Sequence, residues 1–230
     1  MHIEPIIAKS RYLHLFIDVE TTDVGPTAFP WQVGIIGMVE NVITHELDLV
    51  INTELTIKIP DSLVRACMDG DEGQFDRFSI SRNTINWIMT KASEDTRTAW
   101  KRASSLFSDP TVEHPDDAAE TIVGVITDAM KEYVNIDTDI DWTQCFVYSW
   151  GQFDVPILVN FLTATGFDKP WHYRNEIDLR SVIGFYGINE RPDTSAHVGL
   201  ADARALYELW RTLRVEYSAP LKLQLELSDV

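Results

Sequence analysis

Two carboxylates stand close together in the first apolar run of the chain. Asp18 and Glu20 are separated by one residue in the segment HLFIDVE, which has the composition of a buried β-strand. Residues two apart on a strand share a face and lie roughly 7 Å apart. Two carboxylates on one face repel each other unless a cation lies between them. The pair is therefore a candidate cation site, although a lone pair of this kind is more often a solvated strand end.

A third carboxylate follows a later strand-like run. Asp154 stands in the segment SWGQFDVPIL, where an apolar strand gives way to a helix. Strand ends of α/β sheets are where binding and catalytic sites are commonly built. A single Asp at such a junction is also typical of a helix N-cap, so Asp154 alone indicates a cap.

A histidine and a fourth carboxylate, His197 and Asp202, stand at the start of the last predicted helix. Five residues make about 1.4 helical turns, so the two side chains do not share a face within one helix. If the helix begins near Gly199, His197 lies in the preceding loop and can turn towards Asp202. A carboxylate beside an apolar helix face is costly unless it is paired or bound to metal. A lone loop histidine, by contrast, is more often structural than catalytic.

The elements that must position these residues form one mixed α/β domain over residues 1–230. Three short strand-like runs come first, and their short connections predict an antiparallel arrangement. The tail 219–230 contains the alternating run LKLQLEL, which predicts either a short edge strand or a solvated tail. The predicted elements are strands His14–Glu20, Trp31–Val39 and Leu47–Leu55, a loop Pro60–Phe78, helices Ser81–Leu106 and Pro115–Tyr133, a strand Gln144–Trp150, a helix from about Pro156 to Gly166, a strand Glu176–Leu179 with a brief helix after it, and a last helix from Gly199 to about Tyr217.

The charge of the chain argues against a nucleic-acid partner. The 230 residues carry a formal net charge of −17, whereas nucleic-acid binders usually present a basic surface to the phosphates. Metal ions and a few well-placed Lys or Arg residues would have to overcome this repulsion locally. The two cysteines are far apart, and the first residues lack the basic and apolar stretches of a secretory signal, so we expect a cytoplasmic protein without a membrane span.

Taken together, the three acidic motifs resemble those of the DEDDh 3′–5′ exonuclease superfamily, whose fold is ribonuclease H-like. IDVETT is similar to the first motif, GQFDVPIL to the second and AHVGLADA to the third, so the resemblance spans Asp18 to Asp202. The segments SRNTINWIM, SWGQFDVPILVNFL and YRNEIDLRSV also resemble the phage DexA exodeoxyribonuclease and a related mycobacterial exoribonuclease group. The resemblance implies a mixed sheet, antiparallel in its first three strands and then parallel, flanked by helices.

The resemblance also implies a mechanism and its cofactors. Asp18, Glu20, Asp154 and Asp202 would hold two divalent cations, and oxygen ligands suit Mg²⁺ or Mn²⁺. Two ions roughly 3.5–4 Å apart can activate a water molecule and stabilise the leaving oxygen of a phosphodiester. His197 would be the general base, since an imidazole with a pKa near 6.5 can accept a proton at neutral pH. The ions would bring positive charge to the place where the phosphate must lie.

Four further residues are candidate substrate contacts. The backbone of Thr21 could meet the terminal nucleotide, and Phe153 could stack on a base, although a core position explains Phe153 equally well. Arg174 and Arg180 flank a predicted strand and are candidates for phosphate contacts. An ion pair is at least as good an explanation for either arginine.

The expected function is therefore hydrolysis of phosphodiester bonds from the 3′ end of single-stranded DNA. A 3′–5′ exoribonuclease of the same fold and a non-catalytic module that binds a nucleic-acid end are the alternatives. The sugar preference depends on geometry that the sequence does not show. The subfamily resemblance favours a homodimer and, for a phage-encoded protein, the host cytoplasm.

Overall fold

The computed structural model describes residues 11–71, 73–75, 77–136, 139–185 and 197–228, with the backbone alone for Phe75 and residues 215–228. A five-stranded sheet forms the centre of this part of the chain, and helices flank it. The strands in the described residues are β1 (Arg11–Thr21), β2 (Pro30–Asn41), β3 (Leu47–Thr56), β4 (Gly73–Phe75), β5 (Phe78–Ile80), β6 (Cys145–Ser149) and β7 (Glu176–Asp178).

The central sheet has the strand order β3-β2-β1-β6-β7. The β1–β2 and β2–β3 pairs are antiparallel, and the β1–β6 and β6–β7 pairs are parallel. This confirms the mixed α/β sheet predicted from the sequence. Strands β4 and β5 form a separate antiparallel hairpin.

Helices account for most of the remaining described residues. The α-helices are α1 (Asp61–Asp69), α2 (Arg82–Thr90), α3 (Glu94–Ala103), α4 (Pro115–Ala129, continued by a π-helical turn at Met130–Val134), α5 (Asp154–Ala164), α6 (Leu179–Phe185) and α7 (Gly199–Ser228). Single 3₁₀ turns occupy Trp142–Gln144 and Tyr173–Asn175.

Three predictions about local structure were wrong. The single helix predicted over Ser81–Leu106 is divided into α2 and α3, because Ser93 caps the start of a second helix by accepting a hydrogen bond from the Thr96 amide. The predicted loop Pro60–Phe78 contains helix α1 and the β4–β5 hairpin, because Leu63 and Val64 of this polar segment pack into the core and Gly70, at φ 76°, ends the helix. The strand predicted within the tail 219–230 is helical up to Ser228, since Leu, Lys, Gln and Glu are all strong helix formers. Residues 229–230 lie outside the described residues.

The two faces of β1 have different partners. Leu13, Leu15 and Ile17 point into the larger hydrophobic core, which includes residues of α4 and α5. Phe16 points to the other face, where it packs with Trp210 of α7. Because side chains alternate along a strand, Asp18 and Glu20 share the face of Phe16. The carboxylates of β1 therefore lie on the side of the sheet that α7 covers.

Helix α7 begins in direct backbone contact with β2. A Cβ atom added to Gly34 would lie 2.0 Å from the carbonyl carbon of Gly199, so only glycine permits this approach. The side chain of Gln32 accepts a hydrogen bond from the Gly199 amide at 3.3 Å. Gly34 is also the β-ladder partner of Asp18. The start of α7 is therefore held beside the first carboxylate of the acidic motif.

The body of α7 is fixed by a partly buried ion pair. The Arg214 guanidinium donates a hydrogen bond to Glu40, and the imidazole of His14 lies 3.0 Å from the same carboxylate. Burial raises the pKa of Glu40, but the hydrogen bonds from His14 and Arg214 outweigh it and lower the pKa to about 2. Because α7 is attached to β2 at its start and again at Arg214, its first turn is held in one position against the sheet.

Candidate active site

All five motif side chains line one cavity of about 220 Å³ at the end of the sheet. They come from three places in the chain: the end of β1, the start of α5, and the start of α7 with the residues just before it. The described residues that line the cavity are Asp18, Val19, Glu20, Thr21, Thr84, Trp87, Ile88, Trp150, Phe153, Asp154, His197 and Asp202.

Asp18 and Glu20 occupy the last residues of β1 before the ladder with β2 becomes irregular. The register shifts between Glu20 and Thr21, and the strand ends at Thr21, one residue after the second carboxylate. The following loop is fixed by the buried Thr22, whose hydroxyl donates to the Ser79 carbonyl at 2.7 Å and accepts from the Phe29 amide at 2.9 Å. The acidic pair therefore stands on a firmly attached strand end.

Asp154 is the first residue of α5, and the residue that precedes the helix is Phe153. Its side chain is only 4% exposed, and its carboxylate accepts hydrogen bonds from the backbone amides of Val19, Trp150 and Asp154 itself. The bond from Val19 joins α5 to β1 between the two carboxylates of the first motif. The helix-capping explanation is wrong, because Phe153 holds the N-cap position and no side chain caps the helix; Asp154 instead links two elements at the cavity.

Asp202 and His197 come from the first turn of α7 and the residues just before it. Asp202 is only 2% exposed. His197 has a φ of 46°, in the left-handed region that few residues other than glycine adopt. One ligand atom each of Glu20, His197 and Asp202 lies within 4.8 Å of the others. The histidine therefore turns back towards the carboxylates instead of pointing to solvent.

The electrostatics of the cavity are those of crowded carboxylates. Burial, reinforced by the charges of Asp154, Glu20 and Asp202, raises the pKa of Asp18 well above its ordinary value. Burial and the charges of Asp202 and Asp154 raise the pKa of Glu20 to about 8. Burial raises the pKa of Asp154 to about 7 despite its amide hydrogen bonds. Ionising this cluster is unfavourable unless positive charge is brought into the cavity.

The donor set fits hard divalent cations. Four carboxylates and one imidazole converge on the cavity, and no Lys or Arg is found among the described residues that line it. Carboxylate oxygens are the ligands that Mg²⁺ and Mn²⁺ prefer. The Glu20, His197 and Asp202 atoms are close enough to share one ion. The cavity therefore has a set of side chains that is suited to metal binding.

The structure separates the four predicted substrate contacts into two groups. Thr21 and Phe153 line the cavity. Phe153 also packs against the larger core, whereas its stacking on a base stays a prediction. Arg174 and Arg180 are exposed and are not among the cavity-lining residues. The Arg174 guanidinium lies 5.5 Å from the centre of the Tyr173 ring. Their predicted phosphate contacts remain predictions.

The cavity has aromatic walls that the sequence analysis did not assign. Trp87 of α2 packs edge-to-face on the imidazole of His197, with ring centres 4.6 Å apart, and Trp150 lines the cavity beside Phe153. Trp87 stands in SRNTINWIM, one of the segments that carry the subfamily resemblance, which was the signal that could have identified it.

The turn that leads into Asp154 is held by a residue of β7. Asp178 accepts a hydrogen bond from the Gly151 amide at 2.8 Å and from the Arg180 amide at 2.9 Å. Gly151 has a φ of 90°, which explains the glycine at this turn. Asp178 therefore ties the β6–α5 connection, and with it Trp150 and Phe153, to the edge of the sheet.

Comparison with known proteins identifies the family. Residues 13–214 match the family described as the 3′–5′ exoribonuclease Rv2179c-like domain. The chain belongs to this family. The match supports the assignment to the DEDD-type exonuclease superfamily that was predicted from the sequence. The resemblance to the exoribonuclease group is confirmed, whereas the resemblance to DexA remains a prediction.

Other comparisons are less informative. The chain is similar to the crystal structure of cell-death related nuclease 4 (CRN-4), with 12% sequence identity and a TM-score of 0.44. The similarity covers 87% of this chain and 63% of that one, so the chain spans less than two thirds of the nuclease's length. No curated protein matches the chain. None of the described helices combines the length and apolar character that a membrane-spanning helix needs.

Proposed function

We propose that this Rv2179c-like domain is a metal-dependent exonuclease that removes nucleotides from the 3′ end of single-stranded nucleic acid. The observation that carries the proposal is the convergence of Asp18, Glu20, Asp154, Asp202 and His197 on one cavity. A non-catalytic end-binding module would need the aromatic walls but would have no use for four crowded carboxylates, whose repulsion is unfavourable without bound cations.

The four carboxylates would hold two divalent cations, Mg²⁺ or Mn²⁺. When bound, such ions activate water for attack on phosphorus and stabilise the oxygen that leaves. Two of these side chains are held in place by the surrounding structure. Asp154 is oriented by amide hydrogen bonds, and Asp202 is fixed by the first turn of α7. Both are therefore preorganised, which favours tight and geometrically defined metal binding.

His197 is the proposed general base. Its imidazole lies within 4.8 Å of ligand atoms of Glu20 and Asp202, where it can accept a proton from the attacking water. The Trp87 ring against it restricts the orientation of the imidazole. Because His197 precedes α7 by only two residues, its backbone moves with the helix that carries Asp202.

The aromatic residues are proposed to hold the terminal bases. Trp87, Trp150 and Phe153 surround the cavity, and stacking on aromatic rings holds single strands with little sequence preference. The Thr21 backbone borders the same space and is proposed to contact the terminal nucleotide. With a net charge of −17, the chain should bind substrate through few phosphate contacts and with modest affinity.

RNA is the favoured substrate, because the family is described as an exoribonuclease family. Single-stranded DNA is the second candidate, supported by the segments that resemble the DexA exodeoxyribonuclease. The homodimer and the cytoplasmic location predicted from the sequence remain predictions.

The test uses matched RNA and DNA oligonucleotides labelled at the 5′ end, with a 3′-phosphate version of each. A descending ladder of labelled products, faster with RNA, is the expected result. A faster ladder with DNA would reverse the sugar assignment. Immediate release of a labelled mononucleotide would show cleavage from the 5′ end and would contradict the proposed direction.

A further inference from the structure

The backbone of His197 is held by a hydroxyl group from a distant helix. The side chain of Thr96, in the first turn of α3, donates a hydrogen bond to the His197 carbonyl oxygen at 2.7 Å. Thr96 is fully buried, and it lies 101 residues away from His197 in sequence. We infer that Thr96 is a positioning residue, which holds His197 in its catalytic orientation.

The hydroxyl of Thr96 belongs to a directed chain of hydrogen bonds. Ser93 Oγ lies 2.7 Å from Thr96 Oγ1 and accepts a hydrogen bond from the Thr96 amide at 3.1 Å. Because the single hydroxyl proton of Thr96 goes to His197, the Ser93 hydroxyl must be the donor between the two side chains. A hydroxyl that accepts a hydrogen bond is a better donor, so Ser93 strengthens the bond to His197.

The conformation that this bond fixes is an unusual one. Among the described residues only His45 and His197 are non-glycine residues with a positive φ. A histidine at a φ of 46° is energetically unfavourable and persists only where its surroundings impose it. Thr96 restrains the backbone, and Trp87 packs against the ring at 4.6 Å. The α2–α3 pair therefore contacts both parts of the residue.

This inference rests on the proposed function, because the positioning has a catalytic effect only if His197 takes part in hydrolysis. Thr96 itself is not among the described residues that line the cavity. Its substitution should therefore change kcat while leaving substrate contacts in place. If Thr96 had a merely structural role, its substitution would lower the amount of folded enzyme without a selective change in kcat.

The experiment compares Thr96→Val, which keeps the shape of the side chain but removes the hydroxyl, with Thr96→Ser, which keeps the hydroxyl. We expect Thr96→Val to lower kcat about tenfold, which corresponds to the loss of one hydrogen bond, and to change KM less than about twofold. Thr96→Ser should retain a kcat close to that of the wild type. Unchanged kcat in Thr96→Val, or equal loss in both variants, would overturn the inference.

Two further variants guard against unspecific effects. Thr165→Val removes a hydroxyl-to-carbonyl hydrogen bond of 2.9 Å at the end of α5 remote from Asp154, and it should leave kcat unchanged. Ser93→Gly removes the hydroxyl that donates to Thr96 but keeps a tolerated helix N-cap. It should lower kcat by less than Thr96→Val does, and it provides the test if Thr96→Val fails to fold. Unchanged kcat in Ser93→Gly would then contradict the hydrogen-bond chain.

Crystal structures separate this inference from the proposed function. In Thr96→Val, the φ of His197 should leave the left-handed region, whereas Thr96→Ser should retain it. A left-handed φ of His197 in the Thr96→Val structure would overturn the inference, whether or not the enzyme is active. If the wild-type protein is inactive but the variants show the expected change in the φ of His197, the proposed function is refuted and the inference about Thr96 stands.

Discussion

The crowding of carboxylates in the cavity has a consequence for stability that depends on pH. The pKa of Glu20 is about 8 in the folded protein, raised from 4.5 by burial and by the charges of Asp202 and Asp154. A carboxyl group with a raised folded-state pKa does not destabilise the protein below pH 4.5, where it is protonated in both states. Between about pH 4.5 and pH 8 only the unfolded state loses the proton, so stability falls as the pH rises.

The substitution Glu20→Gln removes this effect while it preserves the size of the side chain. Without divalent ions, the variant should be more stable than the wild type at pH 8.5, by a few kcal/mol and at most about 5, and by much less at pH 5. With saturating Mg²⁺ the advantage of the variant should shrink, because the variant lacks one metal ligand and gains less stability from the ion. A ligand at 100 times its Kd stabilises a protein by about 2.7 kcal/mol.

Urea unfolding followed by tryptophan fluorescence measures the free energies of unfolding in EDTA at pH 5 and pH 8.5, and again in Mg²⁺. Glu120→Gln, at an exposed position on α4, is the control and should behave like the wild type under all conditions. Equal stabilities of Glu20→Gln and wild type in EDTA at pH 8.5 would refute the argument from buried mutual repulsion.

Three other substitutions test the arrangement of the site. His197→Ala should lower kcat by roughly 10²- to 10⁴-fold with little change in Mn²⁺ binding by calorimetry, whereas a parallel loss of Mn²⁺ affinity would make the histidine a metal ligand and not the base. Gly34→Ala places a Cβ 2.0 Å from the Gly199 carbonyl carbon. The substitution should lower the free energy of unfolding by about 1–3 kcal/mol, seen as a drop in Tm of roughly 2–10 °C, and it should also lower activity. The control Gly124→Ala, whose added Cβ meets open space, should preserve stability and activity. A Gly34→Ala protein as active as wild type would disprove the close approach. Asp178→Ala should lower stability by about 1–3 kcal/mol, because three backbone amides and the Ser181 hydroxyl lose their acceptor, and an unchanged urea midpoint would show that water replaces it.

The sequence predicts the parts of the site that depend on local patterns. Alternation along β1 places Asp18 and Glu20 on one face, and the junction before α5 places Asp154 at a strand end. The start of α7 near Gly199 was predicted from local signals as well. Each motif was weak alone, and their order along the chain supplied the family resemblance that the comparison confirmed.

Other features depend on tertiary contacts that no local pattern contains. The approach of Gly199 to Gly34 joins residues far apart in sequence, and a glycine in a strand has many possible reasons. The same holds for the hydrogen bond from Thr96 to His197, since Thr96 by itself is an ordinary residue of a helix first turn.

Composition misled the sequence analysis in two segments. Helix α1 was not predicted because only a few apolar residues, such as Leu63 and Val64, attach a polar segment to the core. In the tail, the strict alternation of LKLQLEL indicated a strand, but the helix propensity of its residues determines the structure.

The central claim is that the four carboxylates make this domain a metal-dependent 3′–5′ exonuclease. The most direct measurement incubates 5′-labelled single-stranded RNA with the wild-type protein in Mg²⁺, in Mn²⁺ and in EDTA, and with Asp18→Ala in the same buffers. We expect a ladder of shortening products for the wild type with either metal, and no products in EDTA or with Asp18→Ala under any condition. Cleavage that persists in EDTA, or that survives in Asp18→Ala at the wild-type rate, would contradict the account.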